Sequence, residues 1–175
     1  MSAATHCEHG EHIGNACAIC EWNAGRSFAA PHGSAASVHF SSATPEWATP
    51  QPLFDQYDRL HNFTLDPCST DQNAKCRKHY TREHDGLAQD WNGERVWMNP
   101  PYGRDIGKWM RKAYEASLAG ALVVCLVPAR TDTAWWHDYA MRGKIEFLRG
   151  RVKFVGGAHS APFPSAIVTL TPPNS

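Results

Sequence analysis

Seven consecutive apolar residues, at positions 121–127, constrain the fold more than any other segment of the sequence. A strand that is apolar on both faces is typical of the interior of a parallel sheet, where other elements cover both sides. Residues 105–118 precede this run, and their apolar side chains recur at the spacing of an amphipathic helix. Gly120 separates the two patterns and favours the end of the helix. The pair predicts a helix followed by a central strand in a layered α/β domain.

Further helices and strands are predicted before and after this helix and strand. Thr49 is predicted to cap a helix whose first turn contains Pro50 and Pro52, because proline is tolerated there. Another helix is predicted to begin at Trp135. Short strands are predicted at residues 63–68, 79–83, 95–98, 144–148, 151–154 and 166–170, with the last two forming a hairpin. This order predicts a three-layer α/β/α fold with a mostly parallel sheet and an antiparallel strand near one edge.

The most unusual turn in the sequence is Asn99-Pro100-Pro101-Tyr102, directly after the predicted strand 95–98. Each proline fixes its own φ angle, lacks an N–H donor and pushes the preceding residue to extended geometry. The turn is therefore stiff, and its carbonyl groups are not used by a helix. An amide and an aromatic ring are held at its two ends. This set suits a flat molecule with an amino group on its edge, such as adenine.

Three predicted strands end in polar, stiffened segments, at Asp66-Pro67-Cys68, at the Asn99 turn, and at residues 128–132. In an open α/β sheet, ligands bind outside the carboxyl ends of the strands. We therefore expect the three segments to meet at one edge of the sheet.

The length of 175 residues predicts one domain, placed at residues 44–175, with room for a small appendage. Residues 26–43 are rich in Gly, Ala, Ser, Pro and His, which is typical of a flexible linker. The sequence has no apolar stretch of the roughly 18 residues needed to span a bilayer, and no signal-peptide core. These features predict a soluble, intracellular protein.

Residues 1–25 form the candidate appendage. They contain the pair Cys17 and Cys20, and Cys7 with His9 or His12 could complete a tetrahedral site. Zinc favours thiolate and imidazole ligands at such spacings, so Cys7, His12, Cys17 and Cys20 are the predicted ligand set. A segment this short needs the metal for its folding energy. The alternative is a disordered tail.

Charge is unevenly distributed although the formal net charge is zero. Residues 100–175 contain ten Lys and Arg against five Asp and Glu. Such an excess could hold phosphate groups on one face, or it could be a solvated surface without a partner.

The ordered motifs resemble those of the phage-type family of DNA N6-adenine methyltransferases, which use S-adenosylmethionine and have a Rossmann-like fold. The resemblance spans roughly residues 47–168. It rests on Trp47-Ala-Thr-Pro50, Leu65-Asp-Pro-Cys68, Asn73-Ala-Lys-Cys76, Asp85-Gly-Leu87, Asn99-Pro-Pro-Tyr-Gly103, residues 128–137 and Ala161-Pro-Phe-Pro-Ser165. It implies a DNA-binding enzyme, expected to be monomeric and to act in the cytoplasm of a bacterium or a phage-infected host.

The resemblance implies a catalytic role for Asn99, Pro100, Pro101 and Tyr102. The Asn99 side-chain oxygen and the Pro100 carbonyl would accept the two N–H groups of the adenine amino group, and Tyr102 would stack on the base. Fixed acceptors stabilise the charge that develops on this nitrogen. In duplex DNA the base must first be flipped out of the stack.

The resemblance also implies a cofactor site formed by the ends of several segments. Thr49 and Pro50 would close over the methionine part, and Asp66, Pro67 and Cys68 would line the approach. Asp85, preferred over Glu83, would bind the ribose, and Asp90 the cofactor's adenine. The chain lacks the glycine-rich turn that many methyltransferases carry after the first strand.

The residues assigned to DNA or to the target base are Arg104, Arg130, Thr131 and Asp132. Two other functions stay open on the sequence alone. One is methylation of RNA adenine or of a protein glutamine, since the same turn serves those substrates. The other is an inactive, zinc-bearing module that binds nucleic acid.

Overall fold

A six-stranded mixed sheet forms the centre of the computed structural model, which describes residues 47–157 and 159–173. In chain order the elements are α1 (Gln51–His61), β1 (Leu65–Asp66), β2 (Lys78–His79), β3 (Arg95–Met98), α2 (Ile106–Leu118), β4 (Leu122–Pro128), α3 (Ala134–Asp138), a 3-10 turn (Ala140–Arg142), β5 (Lys144–Phe147) and β6 (Ser165–Leu170). The predicted zinc segment and linker, residues 1–25 and 26–43, lie outside the described residues.

The strand order across the sheet is β2-β1-β3-β4-β6-β5. The pairs β1–β2, β1–β3 and β3–β4 are parallel, whereas β6 is antiparallel to both β4 and β5. One antiparallel strand therefore lies next to the edge strand, as the sequence predicts. The parallel strands β1, β3 and β4 all end at the same edge of the sheet.

The sheet separates two apolar clusters. Alternate residues of β4 face different clusters, because successive side chains of a strand point to opposite faces. Val123 and Cys125 belong to the cluster that contains α2, and Val124 and Leu126 belong to the one that contains α1. Both faces of this strand are buried, which accounts for its uniformly apolar sequence.

Helix α2 follows the predicted apolar stripe. Ile106, Trp109, Met110 and Ala113 are buried against the sheet. Burial of each large apolar side chain contributes roughly 1.5–3 kcal/mol to folding. Gly120 has a φ angle of 109°, which allows the chain to turn from the helix into β4.

The loop between β2 and β3 packs tightly on the end of β1. A Cβ atom at Gly86 would lie 2.0 Å from the carbonyl oxygen of Pro67, so only glycine allows this approach. The indole N–H of Trp91 donates to the Gly86 carbonyl at 3.0 Å. These contacts hold the Asp85-Gly86 segment beside the carboxyl end of β1.

Three predictions about local structure are wrong. The predicted strand 79–83 is not formed, because β2 is only Lys78–His79 and shares just His79 with it. Thr49 does not cap α1, because the residue at the cap position is Pro50 and no side chain caps this end. Residues 151–154 do not form a strand of the sheet, and β6 pairs instead with β4 and β5. Among the described residues, 151–155 make one isolated bridge, between Val155 and Ala48.

Among the described residues, no helix is long and apolar enough to cross a membrane.

Candidate active site

A cavity of about 450 Å³ lies at the carboxyl ends of β1 and β3. Its volume is in the range of roughly 300–1,000 Å³ that is typical of small-molecule sites. Nine of the predicted site residues line it: Thr49, Asp66, Pro67, Cys68, Asp85, Asn99, Pro100, Pro101 and Arg104. The two predicted strand exits after β1 and β3 therefore meet at this cavity.

Asn99 lines this cavity, and its side-chain oxygen has no hydrogen-bond partner among the described residues. The Nδ2 group donates one hydrogen bond to the Trp47 carbonyl and another to Thr49 Oγ1, the latter at 3.0 Å. The Oδ1 atom is buried and has no hydrogen-bond partner in the described part of the chain. A buried acceptor without a partner costs roughly 1–3 kcal/mol, so an N–H donor from a ligand would be bound favourably here.

Asp66, the last residue of β1, is a buried carboxyl group in the cavity wall. Only 4% of its surface is exposed. Desolvation raises its pKa to about 6, although the backbone N–H groups of Lys75 and Cys68 donate to its two oxygens, at 3.0 and 3.4 Å, and lower it in part. A carboxyl group in this position can accept N–H or O–H groups of a ligand.

Tyr102 does not line this cavity. Its ring makes edge-to-face contacts with Phe154 and Phe163, at centroid distances of 5.9 and 5.5 Å. Its hydroxyl group donates to the Leu126 carbonyl at 3.1 Å, and burial raises the pKa of the phenol well above its usual value. Stacking on a base would require the ring to leave these partners, so that role stays a prediction.

Asp85 and Asp90 occupy different positions. Asp85 lines the cavity with an exposed side chain and a φ angle of 49°, and its Oδ1 accepts the Leu87 N–H at 3.3 Å. Asp90 is exposed, does not line the cavity, and accepts the Asn92 N–H at 2.9 Å. The geometry therefore supports Asp85 as a ligand contact and gives no such support for Asp90.

Of the residues predicted to face DNA, only Arg104 lines the cavity. Arg130, Thr131 and Asp132 are exposed on the loop after β4, outside the cavity lining. Pro50, another predicted contact, also lies outside the lining and begins α1.

Several residues that line the cavity have no predicted role, among them Trp47, Asn73 and Trp109. Trp47 provides a carbonyl acceptor to Asn99, and the Asn73 side chain accepts the Thr70 N–H at 2.7 Å, which shapes the loop after β1. Trp109 lines the cavity from α2. The positions of Trp47 and Asn73 in the quoted motifs were the only signal that could have found them.

The cysteine thiols of the described residues are packing groups. Burial raises the pKa of the Cys68 and Cys125 thiols well above the usual value and that of Cys76 to about 12. A thiol is a weak nucleophile in that state.

A metal site is not found within residues 47–157 and 159–173, where no group of three or more His, Cys, Asp or Glu side chains could hold an ion. The predicted ligands Cys7, His12, Cys17 and Cys20 lie outside that part of the chain.

The buried Asp66 carboxyl group predicts a pH-dependent stability. Its pKa is raised from 3.8 to about 6, so between these values the folded protein holds the proton more tightly than the unfolded chain does. The free energy of unfolding should therefore fall as pH rises from 4 to 7, by roughly 2 kcal/mol. Asp66→Asn should lack this component. Urea unfolding of the ligand-free proteins would measure this component. If the difference in free energy of unfolding between wild type and variant is the same at pH 4 and pH 7, the prediction is wrong.

Comparisons with known proteins place the sequence in a family. The family model "DNA N-6-adenine-methyltransferase (Dam)" matches residues 37–167. A DNA N-6-adenine-methyltransferase of Haemophilus phage HP1 (strain HP1c1) is 32% identical over 114 residues, which cover 62% of this chain and 65% of the relative. A DNA N-6-adenine-methyltransferase of Escherichia phage T1 is 33% identical over 130 residues, which cover 59% of this chain and 54% of the relative.

A putative methyltransferase of Escherichia coli (strain K12), YfdM, is 38% identical over 65 residues, covering 33% of this chain and 70% of the relative. The chain thus spans less than two thirds of the length of the two phage relatives. Because the family match extends over most of the sequence, from residue 37 to residue 167, the chain belongs to the DNA N-6-adenine-methyltransferase (Dam) family.

Proposed function

We propose that this chain transfers a methyl group from S-adenosylmethionine to the N6 amino group of adenine in DNA. The observation that carries the proposal is the buried, unpartnered Oδ1 atom of Asn99 in the wall of the cavity. The adenine amino group has two N–H donors, and its lone pair is delocalised into the ring. An acceptor that is fixed at this position before the reaction binds one of these N–H donors. It also stabilises the positive charge that develops on the nitrogen.

The turn after β3 supplies the second acceptor in this proposal. The Pro100 carbonyl is next to Asn99, and the two prolines keep the backbone stiff. Two fixed acceptors would hold the amino group in one orientation and draw its nitrogen out of conjugation with the ring. Fixed orientation of the reacting group accounts for a large part of catalysis in such sites.

The cavity residues fit S-adenosylmethionine, which supplies the electrophilic methyl group when bound. The volume suits a ligand of this size, and the buried Asp66 carboxyl group can accept N–H or O–H groups of its polar ends. Asp85 lies at the exposed side of the cavity, where it can bind ribose hydroxyl groups. Thr49, Pro67 and Cys68 complete the wall beside Asn99.

DNA as the substrate is supported by the names of the two phage relatives and by the excess of basic residues after position 100. Arg104 is a cation at the cavity itself. In a duplex, the adenine would have to be flipped out to reach Asn99. We propose a catalytic domain at residues 44–175 with a Rossmann-like, three-layer arrangement, supported by the apolar clusters on the two sides of β4.

Asn99→Ala tests this function. The variant should retain S-adenosylmethionine binding within about threefold, because Asp66 and the loop after β1 are untouched. Transfer of a tritiated methyl group to adenine-containing DNA should fall by about 100-fold or more, the usual cost of removing one fixed polar group that stabilises a transition state. Asn92→Ala, at an exposed asparagine of the loop before β3, is the matched control and should keep full activity.

Digestion of the labelled DNA and identification of the modified base completes the experiment. N6-methyladenine is the expected product. Undiminished transfer by Asn99→Ala, or label found in RNA or protein and not in DNA, would refute the proposal.

A further inference from the structure

Building on the proposed function, we propose that Thr49 and the backbone carbonyl of Trp47 are positioning groups for Asn99. Together they fix the direction in which the Asn99 amide points. In this arrangement the amide nitrogen is held against the protein, and the amide oxygen is left for the substrate.

The need for such a device follows from the shape of an amide. Its oxygen and its NH₂ group are nearly equal in size, but one accepts hydrogen bonds and the other donates them. If the Asn99 amide rotated by half a turn, its NH₂ group would face the amino group of adenine, and two donors would oppose each other. The acceptor would then be lost without any change of residue.

The Trp47 carbonyl excludes that orientation, because a carbonyl group can only accept. It receives a short hydrogen bond from Asn99 Nδ2. The reversed amide would place Asn99 Oδ1 against this carbonyl oxygen in a buried position, where the two oxygens repel each other.

Thr49 adds the second contact. Its Oγ1 atom lies 3.0 Å from Asn99 Nδ2 and 3.4 Å from Nε1 of Trp97. The indole N–H is a donor only, so the Thr49 oxygen accepts from both groups. Trp97 is fully buried in β3 and Thr49 is 4% exposed, so the Asn99 amide is attached to a rigid part of the sheet.

Thr49→Val and Thr49→Ser test the role of the hydroxyl group. Valine has a similar shape but no acceptor, whereas serine keeps the hydroxyl. Thr49→Val should lower kcat by about tenfold or more and S-adenosylmethionine affinity by less than that, and Thr49→Ser should restore most of kcat. Loss of cofactor affinity at unchanged kcat would assign Thr49 to the cofactor instead and overturn the proposal, as would full activity of Thr49→Val.

Asn99→Asp tests the Trp47 carbonyl, which cannot be substituted directly. An ionised aspartate would place an oxygen against that carbonyl, whereas a protonated one could donate to it and still offer an acceptor to the substrate. The activity of Asn99→Asp relative to the wild type should therefore rise as pH is lowered from 8 to 6. A ratio that is independent of pH, or near one at pH 8, would contradict the proposal.

These results are separable from a failure of the proposed function. If the wild-type protein methylates no adenine, the function itself is wrong. If the wild type is active and the Thr49 and Asn99 variants do not behave as stated, only the positioning role is wrong.

A second inference concerns the chain that follows β5. In the sheet, Phe147 at the end of β5 pairs with Ala166, which also pairs with Val127 near the end of β4. Lys144 at the start of β5 pairs with Thr169, which pairs with Val124 near the start of β4. The chain after β5 therefore emerges on the side of the sheet where β3 and β4 end.

Residues 151–155 alternate between exposed and buried or half-buried side chains. Val152 and Phe154 point inward, and the Phe154 ring lies 5.3 Å from the Trp47 ring. The Val155 N–H donates to the Ala48 carbonyl at 2.9 Å, so the segment is attached to the strand-like residues beside Asn99.

The outward side chains of this segment are basic. Arg149, Arg151 and Lys153 are exposed, and within residues 47–157 and 159–173 none of them forms an ion pair. Three exposed cations within five residues, without acidic partners among the described residues, form a basic stripe of the kind that contacts a nucleic-acid backbone. We infer that this basic segment, residues 149–153, binds the phosphates of the DNA whose adenine enters the cavity.

Arg151→Gln/Lys153→Gln tests this surface through the salt dependence of DNA binding. Each lost phosphate contact lowers the slope of log affinity against log salt by about 0.9, so the double variant should lose about two units of slope. The rate of a single turnover at saturating DNA should stay unchanged. Arg142→Gln/Lys144→Gln removes an equal charge at the other end of β5, where the strand begins. This control variant should keep the wild-type slope.

An unchanged slope for Arg151→Gln/Lys153→Gln, or an equal loss in both double variants, would overturn this inference. Binding is measured here without turnover. DNA binding with the predicted slopes but no N6-methyladenine would therefore support the surface and refute the function.

Discussion

The hydrogen bonds of the Asn99 amide connect the parts of the chain that form the site. They join Asn99, at the end of β3, to Trp47 and Thr49, which lie about fifty positions earlier in the sequence. Ala48, between these two residues, forms the bridge to Val155 near the end of the chain. Residues 47–49 thus lie between the proline-rich turn and Val155, which follows the basic segment, and they line the cavity.

The same site is built at a cost in stability. Asn99 Oδ1 is buried without a partner, and the Asp66 carboxyl group is buried with a raised pKa. Exposure of either group to water, or a hydrogen bond from a ligand, would lower the free energy of the folded protein. The apolar clusters on the two sides of the sheet offset this cost, because they bury large side chains such as Trp97 and Met110 completely. A stable sheet therefore allows polar groups at its edge to remain available for a ligand.

The sequence predicted the elements in which periodicity alone decides the structure. Helix α2 and strands β3 and β4 lie within one or two residues of their predicted positions, because each buries a continuous apolar face. Thr49 shows why other features were not predictable. A threonine before a helix ordinarily caps it, but here the donors of Asn99 and Trp97 are distant in sequence and take the hydroxyl oxygen instead.

Residues 151–154 illustrate a second limit. Val152 and Phe154 do face the interior, but a strand-like sequence does not reveal whether a partner strand is present. For the site, the motifs identified nine of the residues that line the cavity, since stiff turns after parallel strands meet at one edge. They could not indicate that Tyr102 packs against Phe154 and Phe163, because those contacts depend on how the last third of the chain folds back over the sheet.

The central claim is that Asn99 Oδ1 accepts a hydrogen bond from the target amino group. A crystal structure of the protein with S-adenosylhomocysteine and a DNA duplex containing one adenine in a mismatch would test it most directly. The claim predicts an extrahelical adenine whose N6 atom lies about 3 Å from Asn99 Oδ1, with Nδ2 still bonded to the Trp47 carbonyl and Thr49. An adenine bound elsewhere, or an Asn99 amide turned away from it, would contradict the claim.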